Sequence, residues 1–497
     1  MTETKNQVMA RDTIIYMTAK IIEGLVGILT ISAMTHLYAP NEMGKYTTIN
    51  VAVTTIAMVA IQWLTQSVFR HLTQYRTEDE KTNFYSTVFY SWVQLNGILL
   101  VVGSTIFMSL YFFDTEKIFE IYPRNLLLLG FIMCFTYNTA QMMISMLAGL
   151  GQSKTNLVLS IINVVGKLSG ILVLNTVFSS NIQFVFLSYI IFDCITVVVG
   201  VRKLQIIKYI KRTHVDKSIQ KLFIAYGTPL TFNMIATSLL NKSDIYIITY
   251  LLGETQAGIY QTNYSIVASA FILLASGAMR GSYPTILKTW NENNPELTKK
   301  LLQVAIRNYL LIGVPAVVGI FSVSSPIAQV LFETKYWEGH SVMGFVALGM
   351  MFLGLTEYAI KGWELNLKTQ EIAKRSFLCG LFNIALNLIF IKKFGYVFGG
   401  VSTFLAFFLY FLLAVYGTRN DILFSVNFRS LLNILIGSAV MGIVVHFAKS
   451  FVAVNVISLA MLVFLGLLSY AVTLFFLGEL KNEIAFLQNK LQKKNTV

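Results

Sequence analysis

Long apolar stretches recur from one end of this chain to the other, and they limit its fold more than any other feature. A helix needs about 20 apolar residues to cross the roughly 30 Å hydrocarbon core of a bilayer, where backbone polar groups must be satisfied internally. The chain is 55% hydrophobic and only 12% charged, whereas soluble proteins are about 25% charged. It is therefore predicted to be an all-α polytopic membrane protein of about fourteen transmembrane helices. The predicted spans are 12–37, 46–68, 84–112, 125–148, 156–178, 183–201, 222–251, 259–279, 302–332, 342–360, 376–391, 397–418, 430–448 and 453–478.

The positive charge of the chain is distributed as a topology signal. Most of its 38 Lys and Arg residues fall on the side that holds both termini, so this side is predicted to be cytoplasmic. The net charge of +14 thus needs no nucleic-acid partner. The first span begins near Asp12 without a cleavage site after it, and we expect it to be retained as the insertion signal. The three cysteines all lie within spans, where packing is the expected role.

Two stretches separated by 214 residues repeat one another. TYLLGETQAGIYQTNYSIV (249–267) coincides with THLYAPNEMGKYTTINVAV (35–53) at six of nineteen positions, and the same offset relates Lys154-Thr155 to Lys368-Thr369. A duplication of six spans each is therefore predicted. Because six is even, both copies enter the membrane in the same orientation and form parallel lobes with a central cleft between them.

This duplication predicts the domain organisation. We expect an N-terminal lobe of spans one to six (1–202), a cytoplasmic amphipathic linker (203–221), a C-terminal lobe of spans seven to twelve (222–420), two extra spans (421–478) and a cytoplasmic tail (479–497). Each repeated stretch is the hairpin tip of one lobe. Gly44 and Gly258 are expected to permit close backbone approach where the second helix of each hairpin begins.

Three motifs resemble one family of transporters. They are Asp244, Ile247, Leu251, Gly253, Gly258 and Tyr260 in the pattern D-x-x-I-x-x-x-L-x-G-x-x-x-x-G-x-Y, the stretch FNIALNLIFIKKFGYVFGGVSTFLAFFLYF (382–411), and YAPNEMGKY (38–46). The chain resembles bacterial polysaccharide repeat-unit flippases, the Wzx-type O-antigen and capsule transporters. This resemblance implies the two-lobed fold of multidrug and toxic compound extruders and lipid II flippases. It also implies an oligosaccharide cargo on an undecaprenyl diphosphate carrier, moved between leaflets of the bacterial cytoplasmic membrane.

Ionisable residues within the spans are the candidates for function. A charged side chain at the bilayer centre costs about 2.5–3.5 kcal/mol, so it should face a cavity or a partner. The predicted substrate-binding residues are Lys20, Glu23, Asn241, Asp244, Arg280 and Arg307, and the predicted ion-coupling residues are Asp244, Glu23 and Glu357. Lys167 in span five and Asp193 in span six are also charged, and interhelical pairing is the favoured interpretation for Asp193.

Helical spacing and the repeat indicate which residues share the cleft. Lys20 and Glu23 are three residues apart, so they lie on one face of span one and could pair. Adding 214 to positions 20, 23, 27 and 30 gives 234, 237, 241 and 244, which places Asn241 and Asp244 on the equivalent face of span seven. Lys242 lies about 200° from Asp244 around the helix and should point elsewhere.

The predicted mechanism is alternating access. Lys20, Arg280 and Arg307 would hold the diphosphate. The carboxylates would bind sugar hydroxyls or a coupling proton or sodium ion. No organic cofactor is expected, and the chain has no G-x-x-x-x-G-K-[ST] loop for ATP.

Two other functions stay open. One is a cation-coupled multidrug exporter of the same fold, which should favour carboxylate-lined cavities. The other is a membrane-embedded glycan polymerase or ligase, against which the short outward loops weigh. The favoured interpretation is a transporter and not an enzyme. Its expected partners are the lipid-linked oligosaccharide, membrane lipids and glycan polymerases.

Overall fold

The computed structural model describes residues 5–112, 116–421 and 424–480, and their regular structure is helical throughout. The helices are α1 (Lys5–Leu37), α2 (Pro40–Ala57), α3 (Trp63–His71), α4 (Glu78–Phe112), α5 (Glu116–Ile121), α6 (Arg124–Gly149), α7 (Ser153–Val177), α8 (Gln183–Leu204), α9 (Lys217–Leu252), α10 (Glu254–Asn291), α11 (Pro295–Leu331), α12 (His340–Ala359), α13 (Lys361–Leu365), α14 (Thr369–Phe394), α15 (Val397–Gly417), α16 (Phe428–Ala448) and α17 (Val456–Phe476). The predicted all-α class is confirmed.

Thirteen helices of the described residues are long and apolar enough to cross a membrane. They overlap all but one of the fourteen predicted spans. The remaining predicted span, 259–279, lies within α10, a helix of 38 residues. Since a helix rises about 1.5 Å per residue, α10 also has the length to cross a bilayer.

Several helix ends are set by local side chains. The α2 helix begins at Pro40, and the Glu42 carboxylate accepts from the backbone N–H of Ala39 at 3.2 Å. Asp216 caps α9 by accepting from the backbone N–H of Ser218 at 2.7 Å. The same helix is followed by Gly253, whose φ of 88° lies in a region that favours glycine.

Two interior departures from ideal helix geometry stand out. A π-helical turn at Met58–Gln62 connects α2 to α3 within one predicted span. In α11, Val323 has non-helical dihedral angles three residues before Pro326. A proline removes one backbone hydrogen bond and crowds the preceding turn, which explains a break at that point.

The contacts divide the chain into two compact units, which separate between Gly258 and Ile259. In the first unit, α6 packs on α8 and α2, α7 packs on α1 and α8, and α9 packs on α3. In the second unit, α12 packs on α15 and α11 packs on α12 and α16. An apolar cluster that includes Val323, Met441 and Leu462 joins α11 to α16 and α17. The predicted lobe boundaries stay predictions.

The segment predicted as an amphipathic linker (203–221) contains the end of α8, two short 3₁₀ turns, Ile206–Tyr209 and Arg212–His214, and the start of α9. It is held to α4 because Ser86 donates to the Tyr209 carbonyl oxygen at 2.8 Å and Thr87 accepts from the backbone N–H of Asp216 at 2.9 Å. Hydrogen bonds from Ser218 lower the pKa of Asp216. Residues 481–497 of the predicted cytoplasmic tail lie outside the described residues.

Candidate functional site

The predicted stripe on span one contains an ion pair. Lys20 Nζ lies 2.6 Å from Glu23 Oε2, and the two side chains are 54% and 25% exposed. Further along α1, Thr30 is buried and donates to the Val26 carbonyl oxygen at 2.7 Å. The stripe thus changes from charged and accessible to neutral and buried along the helix.

The equivalent stripe on α9 becomes buried in the same direction. Asn241 is partly exposed and donates to the Thr237 carbonyl oxygen at 2.7 Å. Asp244 is only 3% exposed, and its Oδ1 atom accepts from the backbone N–H of Ile245 at 3.0 Å. Thr30 and Asp244, which are related by the 214-residue offset, are therefore both buried, but only the second is ionisable.

Polar side chains connect α9 to α2 along their length. Lys242 Nζ donates to the Thr54 hydroxyl at 3.0 Å, which gives this lysine a partner away from the Asp244 face. The hydroxyls of Thr48 and Thr249 lie 3.1 Å apart, and those of Thr55 and Ser238 lie 3.3 Å apart. The pairing order shows that α2 and α9 run antiparallel.

The two hairpin tips contact each other reciprocally through glycine. We call Pro40–Gly44 the first tip and Glu254–Gly258 the second tip. Each forms the first turn of its helix, and the offset of 214 residues relates the residues of one to those of the other. A Cβ on Gly44 would lie 1.8 Å from the Glu254 carbonyl oxygen, and a Cβ on Gly258 would lie 2.1 Å from the Pro40 carbonyl oxygen. The predicted close approach is present, and each copy makes it with the other.

A tyrosine outside the helices forms a side-chain hydrogen bond with the second tip. The Tyr122 hydroxyl, which lies between α5 and α6, donates to Glu254 Oε1 at 3.2 Å. Burial raises the pKa of Tyr122 to about 12. The hydroxyl therefore stays protonated, and able to donate, at any physiological pH.

A buried ion pair joins α7 and α8 in the first unit. Lys167 Nζ lies 2.6 Å from Asp193 Oδ1, and the side chains are 12% and 0% exposed. The apolar sequence around each residue identified both as charged span residues. It contained no signal that would have paired them across 26 positions.

In the second unit, Glu357 lines a pocket of about 320 Å³ between α10 and α12, together with Phe271 and Met350. One turn further, Lys361 pairs with Glu364, which accepts from the Tyr283 hydroxyl at 2.6 Å. Lys361 and Glu364 were missed from the sequence because they lie at a predicted span boundary. No group of three or more His, Cys, Asp or Glu residues within the described ranges is placed to hold a metal ion.

Arg307 forms an ion pair with Glu479, which follows the last span. Its Nε donates to Glu479 Oε1 at 2.7 Å, and Glu479 also accepts from Ser430 and Asn433. Burial raises the pKa of Glu479, but these hydrogen bonds outweigh it and the pKa lies below its usual value. Arg280 lies in α10, and its side chain is outside the described residues. The substrate-binding roles of both arginines stay predictions.

Comparisons with known proteins place the chain in a family. The model of a family described as polysaccharide biosynthesis protein matches residues 9–290, which is more than half of the chain. The probable low-salt glycan biosynthesis flippase Agl15 of Haloferax volcanii is 24% identical over 247 residues, which are 49% of this chain and 51% of that protein. The chain is thus aligned to about half the length of this relative.

Solved structures share the fold. The lipid II flippase MurJ in an inward closed conformation has a TM-score of 0.72 at 16% identity, over 93% of this chain and 98% of that one. An inward-facing multidrug resistance transporter of the MATE family has a TM-score of 0.66 at 10% identity, over 81% of this chain and 94% of that one. At these identities the likeness shows the fold alone. The chain is a multi-pass membrane protein of this architecture.

Proposed function

We propose that this protein, which belongs to the family of polysaccharide biosynthesis proteins, is a transporter that flips a lipid-linked oligosaccharide across a membrane. The family supports the cargo class. Two flippases, Agl15 with its similar sequence and MurJ with its similar fold, support a flippase activity. The chemistry needed is transfer of a polar headgroup through hydrocarbon, not bond making.

The observation that carries the proposal is the reciprocal contact between the two tips. Backbone atoms of Pro40, Gly44 and Glu254 approach so closely that a single added carbon would collide. Such a contact leaves no space for solvent or a headgroup between the tips. A transporter built from two repeats needs a contact of this kind at one end, one that closes in one state and parts in the other.

In the full proposal, the cargo is an oligosaccharide repeat unit on undecaprenyl diphosphate. The protein would lie in the bacterial cytoplasmic membrane with both termini in the cytoplasm, and it would deliver repeat units to O-antigen or capsule polymerases. The tips would then close the outward end. Coupling to a proton or a sodium ion would drive the cycle.

The described side chains suggest a division of roles. Lys20 is more than half exposed, so its ammonium can exchange Glu23 for a phosphate oxygen. Asp244 is buried and would bind a cargo hydroxyl only when the tips part. Arg307 is already bound to Glu479, so its contact with a diphosphate would need that ion pair to open.

The test is mass spectrometry of lipid-linked oligosaccharides in cells that lack this protein. We expect accumulation of one complete undecaprenyl diphosphate repeat unit and loss of the matching surface polymer. Complementation with the wild-type chain should reverse both effects. Absence of accumulation, with new sensitivity to cationic dyes, would overturn the proposal in favour of a multidrug exporter.

A further inference from the structure

Lys167 and Asp193 form a deeply buried ion pair, and neither residue is among those predicted to bind the cargo. Asp193 on α8 is fully buried, and Lys167 on α7 is 12% exposed. Burying two charges costs on the order of several kcal/mol per ion before their mutual attraction is counted. An apolar pair of similar size would hold two helices together at least as well, so packing alone does not account for these residues.

The two oxygens of the Asp193 carboxylate have unequal surroundings. Oδ1 accepts from Lys167 Nζ at 2.6 Å and from Asn163 Nδ2 at 2.9 Å. Asn163 also donates to the Thr196 hydroxyl at 2.8 Å, which fixes the orientation of its amide. Oδ2 is buried and has no hydrogen-bond partner among the described residues. A buried, unpartnered carboxylate oxygen is costly, and a proton is the smallest ligand that would remove the cost.

The lysine has a second favourable contact that does not depend on the carboxylate charge. Lys167 Nζ lies 4.8 Å from the centroid of the Tyr189 ring, within cation–π range. If Asp193 becomes neutral, the ammonium therefore keeps one stabilising neighbour. The pair can pass from a net charge of zero to +1 without leaving the lysine wholly unpaired.

The same tyrosine connects the pair to the first tip. The Tyr46 hydroxyl donates to the Tyr189 hydroxyl at 3.2 Å, and Tyr46 follows Gly44 by two residues on α2. A change in the position of the Lys167 ammonium would thus act on Tyr189 and, through one hydrogen bond, on the helix that carries the tip contact.

We propose that Asp193 Oδ2 binds the proton that couples this transporter to the proton gradient. The step is addition of one proton from the aqueous phase to Oδ2, with no covalent bond broken. The ion pair to Lys167 weakens, and the ammonium shifts towards Tyr189. The inference rests on the proposed transport function and names its coupling ion and site.

Other titratable groups face this pair. Tyr189 and Cys194 on α8 and Tyr137 on α6 lie within electrostatic reach of the Asp193 carboxylate. Tyr46 on α2 is bonded to Tyr189. The α1 helix, which also packs on α7, carries the pair of Lys20 with Glu23. Tyrosine and cysteine side chains are ordinarily neutral near pH 7, so Asp193 and, on the neighbouring helix, Glu23 are the carboxylates among these groups.

The first test is infrared difference spectroscopy of the purified full chain in lipid nanodiscs, with acidification alone as the probe. We expect a carbonyl band of a protonated carboxylic acid to appear in the wild type and to be lost in Asp193→Asn. Glu364→Gln is the matched control, because it removes the carboxylate of the lysine pair in the second unit and should leave the band unchanged. Lys167→Met removes the cation, so the band should be present at neutral pH.

Asp193→Asn leaves Lys167 without its anion and could fail to fold, whereas Lys167→Met/Asp193→Asn removes both charges. The double variant should express normally and also lack the band. A band that persists in both variants, or that never forms in the wild type, would overturn the inference.

The second test uses cells and a protonophore. Collapse of the proton gradient should cause lipid-linked oligosaccharide to accumulate in wild-type cells and in Glu364→Gln cells. The double variant should accumulate it with or without the protonophore. Failure of the proposed function would show as no accumulation in cells lacking the protein. Failure of this inference alone would leave that accumulation intact and make the double variant behave like the wild type.

Discussion

The two tips and the two charged stripes are related by the same 214-residue offset, yet they differ in how far the relation holds. At the tips, Gly44 meets the second copy as closely as Gly258 meets the first. On the stripes, Thr30 and Asp244 are equivalent and both are buried, but only Asp244 is ionisable, and the position equivalent to Lys20 is Met234. The steric requirement is thus the same in both stretches, while the charged residues lie at different positions along the two stripes.

The reason is physical. A backbone contact through glycine tolerates no added atom, because neither helix can move without moving the other. A charge in a cleft is constrained only by what faces it, and the two helices face different neighbours. The tips are therefore expected to respond equally to mutation and the stripes unequally.

The largest effect is expected at the tips. Gly44→Ala and Gly258→Ala should each abolish export of surface polysaccharide and lower the free energy of unfolding by about 3 kcal/mol, because each Cβ overlaps a backbone carbonyl oxygen. Thermal unfolding in detergent and surface-polymer immunoblots measure the two effects. Gly97→Ala on α4 is the control, since a Cβ there meets nothing within 4 Å. If only one tip variant were impaired, the reciprocity would be broken.

The next effect separates the stripes. Asp244→Asn should stop export while the protein still inserts in the membrane, because it removes a buried charge without changing side-chain size. Glu23→Gln should reduce export far less, since an exposed pair contributes about 0–1 kcal/mol. Immunoblots for the polymer and for the membrane-inserted chain are the measurement. Equal losses in the two variants would make the stripes as symmetric as the tips.

A smaller effect distinguishes the tips from each other. Tyr122 bonds Glu254, whereas Pro40, at the equivalent position, has no side-chain donor or acceptor to offer. Tyr122→Phe should lower the free energy of unfolding by about 1 kcal/mol, the contribution of one hydrogen bond. Thermal unfolding checks this, and Tyr122→Phe/Glu254→Gln should be no less stable than the single variant. A further loss in the double variant would show that Glu254 has another role.

A last effect, confined to alkaline pH, is the pH dependence of the contribution that Tyr122 makes to stability. Burial raises the pKa of Tyr122 from 10.0 to about 12, so the folded state holds this proton more tightly than the unfolded state. The contribution is complete below pH 10 and is lost as the pH rises towards 12. The stability difference between wild type and Tyr122→Phe should therefore be constant up to about pH 10 and then shrink. A difference that changes between pH 7 and 9 would contradict this assignment.

The positions of the helices were predictable from the sequence, and the pairing of their side chains was not. Apolar length and turn residues act within one stretch of chain, so every predicted span overlaps a helix, although several helices begin five to seven residues before the predicted start and α10 ends twelve residues after its predicted end. The repeat offset also identified Gly44 and Gly258 as points of close approach. It did not reveal that each glycine packs against the other copy.

Only the tertiary structure decided which charges meet. Lys167 and Asp193 lie 26 residues apart, and Arg307 and Glu479 lie 172 apart; each pair depends on how two helices cross. Crossing geometry is set by ridge and groove packing over the whole helix surface, which no local pattern encodes. The sequence by itself determined an all-helical membrane protein and predicted the repeat with its two glycine-containing tips. The structure decided that one carboxylate oxygen of Asp193 would be buried without a partner, because that required Asn163 and Lys167 both to approach the other oxygen.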